Sequence, residues 1–279
     1  MFRRLAIVLS LLAPLPAPAA FVALGLPGSQ LTAIADDGRS AAGSMAGTRG
    51  GGFRWRQDGG ARLLPDAVSV HGVSPSGRYV AGSSLDRNAG EVATWWDADD
   101  VAHAIEGAAP SVGRTISDAG ELRGVAGADG GPRTAFRWSA ADGVQRLGAA
   151  ALDEPVAHCA RHAAPDAAEP PAEYLAASRD GALRVGHAGS GGERRAIVWT
   201  AQAGVQRLDA FLATHGVEVP RGWTLLAATA VDPDARHIGG YGLHRQRFDS
   251  FVAELPPDVR ILCDPSAPSG TPPSQEITP

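Results

Sequence analysis

A glycine-centred turn recurs five times along the chain, and each copy is followed 17 to 19 residues later by the end of a short apolar run. In four copies that run ends in tryptophan, which pairs Gly38 with Trp55, Gly77 with Trp96, Gly120 with Trp138, and Gly181 with Trp199. In the fifth copy Ala235 holds the glycine position and Ala253 the aromatic position. Repetition at a fixed period is typical of one supersecondary unit copied along or around an axis, so we assign these residues a structural role.

Each unit contains four short apolar stretches separated by turn signals. The turn glycine follows Asp in residues 36–38 and 179–181, and an Asp-Gly pair favours a tight hairpin turn because Gly adopts a positive φ without strain. A second glycine ends the next stretch in every unit: Gly43, Gly82, Gly124, Gly186 and Gly240. The pattern predicts four antiparallel strands per unit of roughly 40 residues.

We therefore predict an all-β, β-propeller-like repeat fold of about five four-stranded blades. A sandwich gives no reason to repeat one tryptophan, and a β-solenoid has fewer strands per period. The units lie near residues 31–64, 70–106, 113–148, 172–208 and 227–262, with an insertion at 149–171, and we expect one domain over residues 21–263. Residues 208–216 predict one short helix before the last unit. Residues 21–25 and 259–262 compete for the strand that closes the ring, and the sequence does not choose between them.

The first 20 residues have the pattern of a signal peptide. Arg3 and Arg4 precede a short apolar core, and small residues at 17–19 form a cleavage pattern, so we expect cleavage after Ala19 or Ala20. The apolar core is too short to span a bilayer, and we expect a periplasmic or extracellular mature chain without a transmembrane segment. Residues 264–279 are rich in Pro and Ser and are expected to form a disordered tail.

The charged residues exclude several kinds of chemistry. All 25 basic residues are arginine, so a Schiff-base lysine, a P-loop lysine and a Ser–Lys mechanism are excluded. The formal net charge is −5, and removal of Arg3 and Arg4 makes the chain more acidic. An acidic surface argues against a nucleic-acid partner.

Two cysteines, Cys159 and Cys263, are present in the sequence. In an oxidising compartment a single pair predicts one disulfide, which would join the insertion to the start of the tail. Two free thiols are the alternative.

Other candidate sites have simpler explanations. His158 and His162 are four residues apart, as zinc ligands on a helix are, but no second ligand pair accompanies them, and we expect a surface loop. Acidic residues such as Asp36, Asp118 and Asp232 are explained as turn formers, and no single loop is dense enough in them for calcium. No G-x-S-x-G sequence is present. We therefore assign no catalytic, cofactor-binding or metal-binding residue.

Arginines recur in step with the repeat: Arg54, Arg137, Arg146 and Arg207. Recurrence indicates a structural cause, such as stacking on an aromatic ring or pairing across strands. An anion-binding ring is the alternative.

The order of strand, turn, Ala-Phe-x-Trp and Gly-Val-x-x-Leu resembles the HAF-repeat family of extracellular proteins, which is named for a His-Ala-Phe triplet. Residues 134–136 are the nearest match to that triplet, residues 195–197 and 52–53 are weaker, and residues 222–242 are similar to the end of many members. The resemblance covers nearly all of residues 21–262. It implies secretion and a repeat fold, and it supplies no catalytic residue.

We expect a secreted or periplasmic, monomeric and non-enzymatic binding module that contacts a protein or glycan through loops at one end of the ring. The alternative is a periplasmic carbohydrate-active or other hydrolase or lyase on a propeller scaffold. Carboxylates or histidines gathered around one pocket would favour the enzyme.

Overall fold

The structure is a computed structural model that describes residues 20–47, 50–88, 90–127, 133–147 and 172–261. These residues form five antiparallel sheets of four strands each, one α-helix and one 3-10 turn at Gly191–Glu193. The predicted all-β fold of five four-stranded units with one short helix is confirmed. The signal peptide, the insertion and the tail lie outside the described residues and stay predictions.

The first four sheets are meanders in which each strand pairs with the next one along the chain. Blade 1 consists of β2 (Ser29–Ile34), β3 (Ser40–Met45), β4 (Gly52–Arg56) and β5 (Gly60–Leu64). Blade 2 consists of β6 (Ala67–Val73), β7 (Val80–Asp86), β8 (Gly90–Trp96) and β9 (Ala102–Ala104). Blade 3 consists of β10 (Ser111–Ile116), β11 (Leu122–Ala126), β12 (Thr134–Ser139) and β13 (Gly143–Arg146). Blade 4 consists of β14 (Ala172–Ala177), β15 (Leu183–Ala188), β16 (Arg195–Thr200) and β17 (Gly204–Arg207).

Blade 5 is built from both ends of the described chain. Its strands are β18 (Trp223–Val231), β19 (His237–His244), β20 (Arg247–Glu254) and the N-terminal β1 (Ala20–Ala23), which pairs antiparallel with β20. The ring of Phe21 stacks on that of Phe251 at a centroid distance of 5.2 Å. Residues 259–261 are not in a strand. The N-terminal candidate therefore supplies the fourth strand of blade 5.

The cores lie between neighbouring blades. One buried cluster joins Leu31 and Phe53 of blade 1 to Ala230 of blade 5, and others join blades 1 and 2, blades 2 and 3, and blades 4 and 5. Helix α1 (Leu208–Thr214) precedes blade 5, as expected, and buries Leu208, Phe211 and Leu212 in the cluster of blades 4 and 5. Four pairs of neighbouring sheets therefore bury apolar residues against each other, as propeller blades do.

A β-bulge interrupts the first strand of every blade at the same repeat position. The bulged residues, each six before the turn residue, are Thr32, His71, Arg114, Leu175 and Thr229. The bulge directs side chains onto the neighbouring blade: Thr32 Oγ1 donates to the carbonyl of Val70 (2.9 Å) and Thr229 Oγ1 to that of Leu31 (2.5 Å). These bonds tie the first strands of blades 5, 1 and 2 together.

Within the described ranges, no helix is both long enough and apolar enough to cross a membrane.

Candidate functional site

The turns between the first and second strands of the five blades share one backbone geometry. The turn residues all have positive φ: Gly38 (68°), Gly77 (72°), Gly120 (77°), Gly181 (71°) and Ala235 (58°). Hydrogen bonds join the turns of blades 1 and 2 (Asp36 N to Pro75 O, 3.0 Å), of blades 2 and 3 (Ser76 N to Asp118 Oδ1, 3.0 Å) and of blades 4 and 5 (Arg179 N to Pro233 O, 3.0 Å). We call residues 36–38, 75–77, 118–120, 179–181 and 233–235 the turn rim.

Charges from different blades interact across the turn rim. Burial raises the pKa of the Asp36 carboxyl above its usual value, and Arg179 of blade 4 opposes that shift. The carboxylates that raise the pKa of Asp36 further are those of Asp232, Asp234 and Asp118. In contrast, the pKa of Asp118 is lowered, chiefly by the hydrogen bond that Ser76 donates to it. The turn rim therefore carries carboxylates of blades 1, 3, 4 and 5 and the guanidinium of Arg179.

The residue that opens the turn is a serine in blades 2, 3 and 4, where its hydroxyl accepts a hydrogen bond from the backbone N–H that begins the next strand. These bonds join Tyr79 N to Ser74 Oγ (3.2 Å), Glu121 N to Ser117 Oγ (3.1 Å) and Leu183 N to Ser178 Oγ (3.1 Å). Blade 5 has Asp232 at this position. Its Oδ1 accepts from the backbone N–H groups of Arg236 (2.7 Å) and His237 (3.0 Å). Asp232 thus replaces the serine and leaves its second oxygen for another partner.

That partner is the imidazole of His237. Asp232 is 1% exposed, and its Oδ2 lies 2.7 Å from His237 Nδ1. A carboxylate that accepts from Nδ1–H fixes the ring orientation and leaves Nε2 of a neutral imidazole as a hydrogen-bond acceptor. His237 Nε2 lies 4.0 Å from Glu254 Oε1, which in turn lies 2.9 Å from Arg236 Nη2. The imidazole of His237 therefore lies between the buried carboxylate of Asp232 and the carboxylate of Glu254, which is paired with Arg236.

A cleft of about 310 Å³ opens beside His237, between blades 5 and 1. It is lined by Val22, Asp37, Gly38, Arg39, Trp55, Gln57, Arg236, His237, Val252 and Glu254. The cleft thus combines carboxylates, guanidiniums, an amide and an imidazole with an apolar wall from β1, β4 and β20. We call it the His237 cleft.

A second cavity, of about 580 Å³, lies between blades 4 and 5 and is lined by turn 233–235. Its polar lining comes from Arg179, Asp180, Asp234, Arg236 and Arg260, and its apolar lining includes Val259 and Ile261. Arg179 and Asp234 approach to 3.8 Å across it. The two cavities of mixed charge therefore share Arg236 in their linings, and turn 233–235 lines the second cavity.

A different polar network, in blade 2, contains a serine and a histidine in contact. Ser69 Oγ lies 3.1 Å from His71 Nε2 and 2.7 Å from Ser83 Oγ, and Ser83 donates to Glu91 (2.5 Å). Burial, together with the nearby Arg114, lowers the pKa of His71 to about 4. Arg114 Nη1 is 3.4 Å from His71 Nδ1, so Nδ1 accepts and Nε2–H donates to Ser69. Because a general base must accept the serine proton, this orientation is the reverse of a catalytic Ser–His pair.

The repeat residues singled out from the sequence lie at matched places. Trp55, Trp96 and Trp199 are buried, whereas Trp138 is half-buried. Cys159, Cys263, His158 and His162 lie outside the described residues, so the disulfide stays a prediction. Within the described ranges, no group of three or more His, Cys, Asp or Glu side chains is arranged to hold a metal ion.

The repeat pattern did not single out His237, and Asp232 was expected to act as a turn former. A local signal existed, because Asp stands where three other units have Ser and a histidine follows five residues later. The cleft itself has no local signal, because Gly38, Arg39 and Trp55 come from the opposite end of the chain.

No family model matches the chain, and no curated protein matches it. Among solved structures it is similar to TolB from Acinetobacter baumannii, at 14% identity and a TM-score of 0.36, over 83% of this chain and 56% of that chain. It is similar to a putative TolB from Agrobacterium tumefaciens, at 13% identity and a TM-score of 0.36, over 77% of this chain and 70% of that chain.

A third similar structure is the β-propeller domain of the Trilobed protease from Pyrococcus furiosus, at 12% identity and a TM-score of 0.33, over 81% of this chain and 69% of that chain. The chain thus spans little more than half the length of the Acinetobacter protein. At these identities no residue role follows from any of the three.

Proposed function

We propose that the protein is a secreted or periplasmic, non-enzymatic binding module that holds a protein or glycan ligand at the turn rim beside blade 5. The observation that carries the proposal is that Arg236, which follows turn 233–235, lines two cavities of about 310 and 580 Å³. Both volumes fall near the range of small-molecule sites, and loops on a rigid β scaffold are where binding usually occurs.

The side chains of both cavities indicate a polar ligand. Asp37, Arg39, Arg179, Asp180 and Asp234 are exposed, so charges of both signs are accessible within a short stretch of surface. An apolar ligand would displace water from these charged groups, which costs free energy for each group that becomes buried. A peptide or an oligosaccharide with charged substituents offers donors and acceptors for both signs.

The N-terminus supports secretion. Strand β1 begins at Ala20, next to the predicted cleavage pattern, so cleavage after Ala19 leaves the closing strand of blade 5 intact. The resemblance to HAF-repeat extracellular proteins agrees with this location. Mass spectrometry of the mature chain from a periplasmic extract tests it, because a mature N-terminus beyond Ala23 contradicts the proposal.

Binding is tested by a thermal-shift screen of glycans and peptides, followed by calorimetry on each hit. Asp37→Asn and Arg39→Gln alter exposed side chains of the His237 cleft, and we expect either to weaken binding about tenfold. Arg146→Gln, at an exposed position on β13, is the matched control and should bind as the unaltered protein does. Equal affinities in all four proteins would overturn the assignment to this rim.

A hydrolase or lyase is the second candidate, and the Asp232–His237 pair is the observation that favours it. A buried carboxylate that orients a histidine beside a cleft is the arrangement of a general base. Within the described part of the chain, however, no serine, threonine or cysteine is hydrogen-bonded to His237. Chromogenic glycosides and esters test this candidate with His237→Gln. If the unaltered protein turns over a substrate and His237→Gln does so at the same rate, His237 is not the general base and this candidate is wrong.

A further inference from the structure

Three arginines of blade 1 share one face of the sheet. Arg54 and Arg56 are two residues apart on β4, and Arg62 on β5 pairs directly opposite Arg54. They line a cavity of about 70 Å³ together with Gly59, Gly60 and Asp100. We call this cavity the arginine pocket.

Arg54 anchors the pocket. It is 2% exposed, and its Nη1 and Nη2 donate to the carbonyls of Asp97 (2.7 Å) and Trp96 (3.1 Å) in blade 2. Nη1 also lies 2.9 Å from Asp100 Oδ1. The buried Nε has no hydrogen-bond partner in the described structure. Arg54 is therefore fixed against blade 2, with its guanidinium at the wall of the pocket.

The pocket has an excess of positive charge. Three guanidiniums face the single carboxylate of Asp100 in its lining. Burial lowers the pKa of Arg54 to about 10, which still leaves the side chain charged at neutral pH. Arg56 Nη2 is held by the carbonyl of Ala98 at 2.7 Å, a neutral partner that does not offset its charge.

Blade 3 shows how the same position is filled without excess charge. Arg137 precedes Trp138 as Arg54 precedes Trp55, and it pairs across the strands with Gln145. Arg137 Nη2 donates to Gln145 Oε1 at 2.7 Å. Blade 1 has Arg62 in place of this neutral acceptor. Like charges directly opposite each other in a sheet are destabilising, so the blade 1 arrangement needs a counter-charge that the blade 3 arrangement does not.

We propose that the arginine pocket binds one oxyanion, a phosphate or sulfate group, either free or as an ester on a larger ligand. Planar guanidiniums match the oxygens of such groups, and the anion would supply the counter-charge that the single carboxylate of Asp100 leaves unmet. The site is independent of the His237 cleft, because Trp55 and Gln57 of blade 1 line the cleft whereas the arginines face blade 2.

The decisive variant is Arg62→Gln, which reproduces the Arg–Gln pair of blade 3. Inorganic phosphate, sulfate and a sulfated monosaccharide are each titrated into the mature protein at constant ionic strength, with calorimetry and melting temperature as readouts. We expect saturable binding that Arg62→Gln weakens about tenfold or more. In buffer free of these anions, we expect Arg62→Gln to melt at or above the temperature of the unaltered protein.

Arg56→Gln should weaken binding similarly, whereas Arg146→Gln should leave it unchanged. Binding of all three probes supports recognition of the group itself, and binding of the ester alone supports an anion presented by a larger ligand. Absence of saturable binding by any probe, or equal affinity in the unaltered protein and Arg62→Gln, overturns the proposal. Because none of these variants alters the His237 cleft, the result is separate from that of the proposed function.

Discussion

Gly38 of blade 1 lies directly against the imidazole of His237 in blade 5. A Cβ atom on residue 38 would be no more than 2.5 Å from the ring atoms Cγ, Cδ2 and Nδ1, which real Cβ atoms essentially never approach. This contact joins the blade that contains the N-terminal strand to the first complete blade, and it forms one wall of the His237 cleft. The repeat glycine therefore has two roles here, as a turn residue with positive φ and as the surface on which the histidine rests.

Gly38→Ala should destabilise the protein by about 2–4 kcal/mol, because it adds left-handed backbone strain to a clash with a packed ring. Gly120→Ala is the matched control: its φ is also positive, but nothing lies within 4 Å of the added Cβ. We expect the control to lose only about 1 kcal/mol from backbone strain. Urea denaturation measures the free energy of unfolding of both variants. Equal losses would mean that the contact with His237 does not contribute to the cost of Gly38→Ala.

Asp232→Ser should be tolerated better than Asp232→Ala. Serine occupies this position in blades 2, 3 and 4, so the hydroxyl can still accept from the backbone N–H groups of the turn. Alanine leaves those buried donors without a partner and should cost about 1–3 kcal/mol more than serine. Both variants lose the carboxylate that holds His237. If serine and alanine are equally destabilising, the capping role is wrong and the interaction with the imidazole is what matters.

The fold was predictable because the repeat has a fixed period. Gly120 and Trp138 recur in step with their counterparts, and each unit contains its own strands and turns, so local pattern and global architecture agree. The closing strand was not predictable, since residues 21–25 and 259–262 fit the same apolar pattern. Stacking of Phe21 on Phe251 favours the N-terminal strand, and that contact spans nearly the whole chain.

The candidate sites were harder to predict from the sequence, because their residues come together only through blade packing and strand register. The Asp232–His237 pair is local, but the cleft beside it exists only because the turn of blade 1 packs against blade 5. Arg62 becomes informative only when the register places it opposite Arg54. The expectation that the recurring arginines pair across strands is met by Arg137 and Gln145, whereas Arg54 binds carbonyls of the next blade.

Ser76→Ala should reduce the amount of stability that the protein loses as the pH falls into the acid range. The hydrogen bonds from Ser76 are the main reason that the pKa of Asp118 is lowered in the folded state. A lowered carboxyl pKa contributes stability above the unfolded-state pKa, and that contribution is lost as the pH falls through the folded-state pKa. Ser76→Ala should therefore be less stable than the unaltered protein at neutral pH, and the difference should shrink in acid.

NMR titration of the Asp118 carboxyl measures this effect directly, and the pKa should rise toward its usual value in Ser76→Ala. Ser139→Ala, which removes a serine bonded to the exposed Asp142 of blade 3, should leave the Asp118 titration unchanged. An unchanged Asp118 pKa in Ser76→Ala would show that the link between blades 2 and 3 does not form in solution.

The tryptophans of the repeat should differ in how much they contribute to the stability of the fold. Trp96 is fully buried and its Nε1 donates to the carbonyl of Pro65 at 3.0 Å, so Trp96→Ala should cost about 3–5 kcal/mol. Trp138 is half-buried, and Trp138→Ala should cost less than Trp96→Ala. Chemical denaturation of both variants tests the order. A Trp138→Ala loss as large as that of Trp96→Ala would place Trp138 in a core that the described residues do not contain.

Removal of residues 20–23 should destabilise the whole ring rather than only its N-terminus. Strand β1 covers the edge of β20, and Phe21 contacts both Phe251 and, edge-on at 5.3 Å, Trp223. Without β1 the edge of β20 becomes free to pair with another chain, so we expect a lower melting temperature together with concentration-dependent aggregation. Phe21→Ala should give part of the loss and Ala23→Ser, at an exposed position, almost none. A deletion variant that melts like the unaltered protein and does not aggregate would mean that blade 5 is complete with three strands.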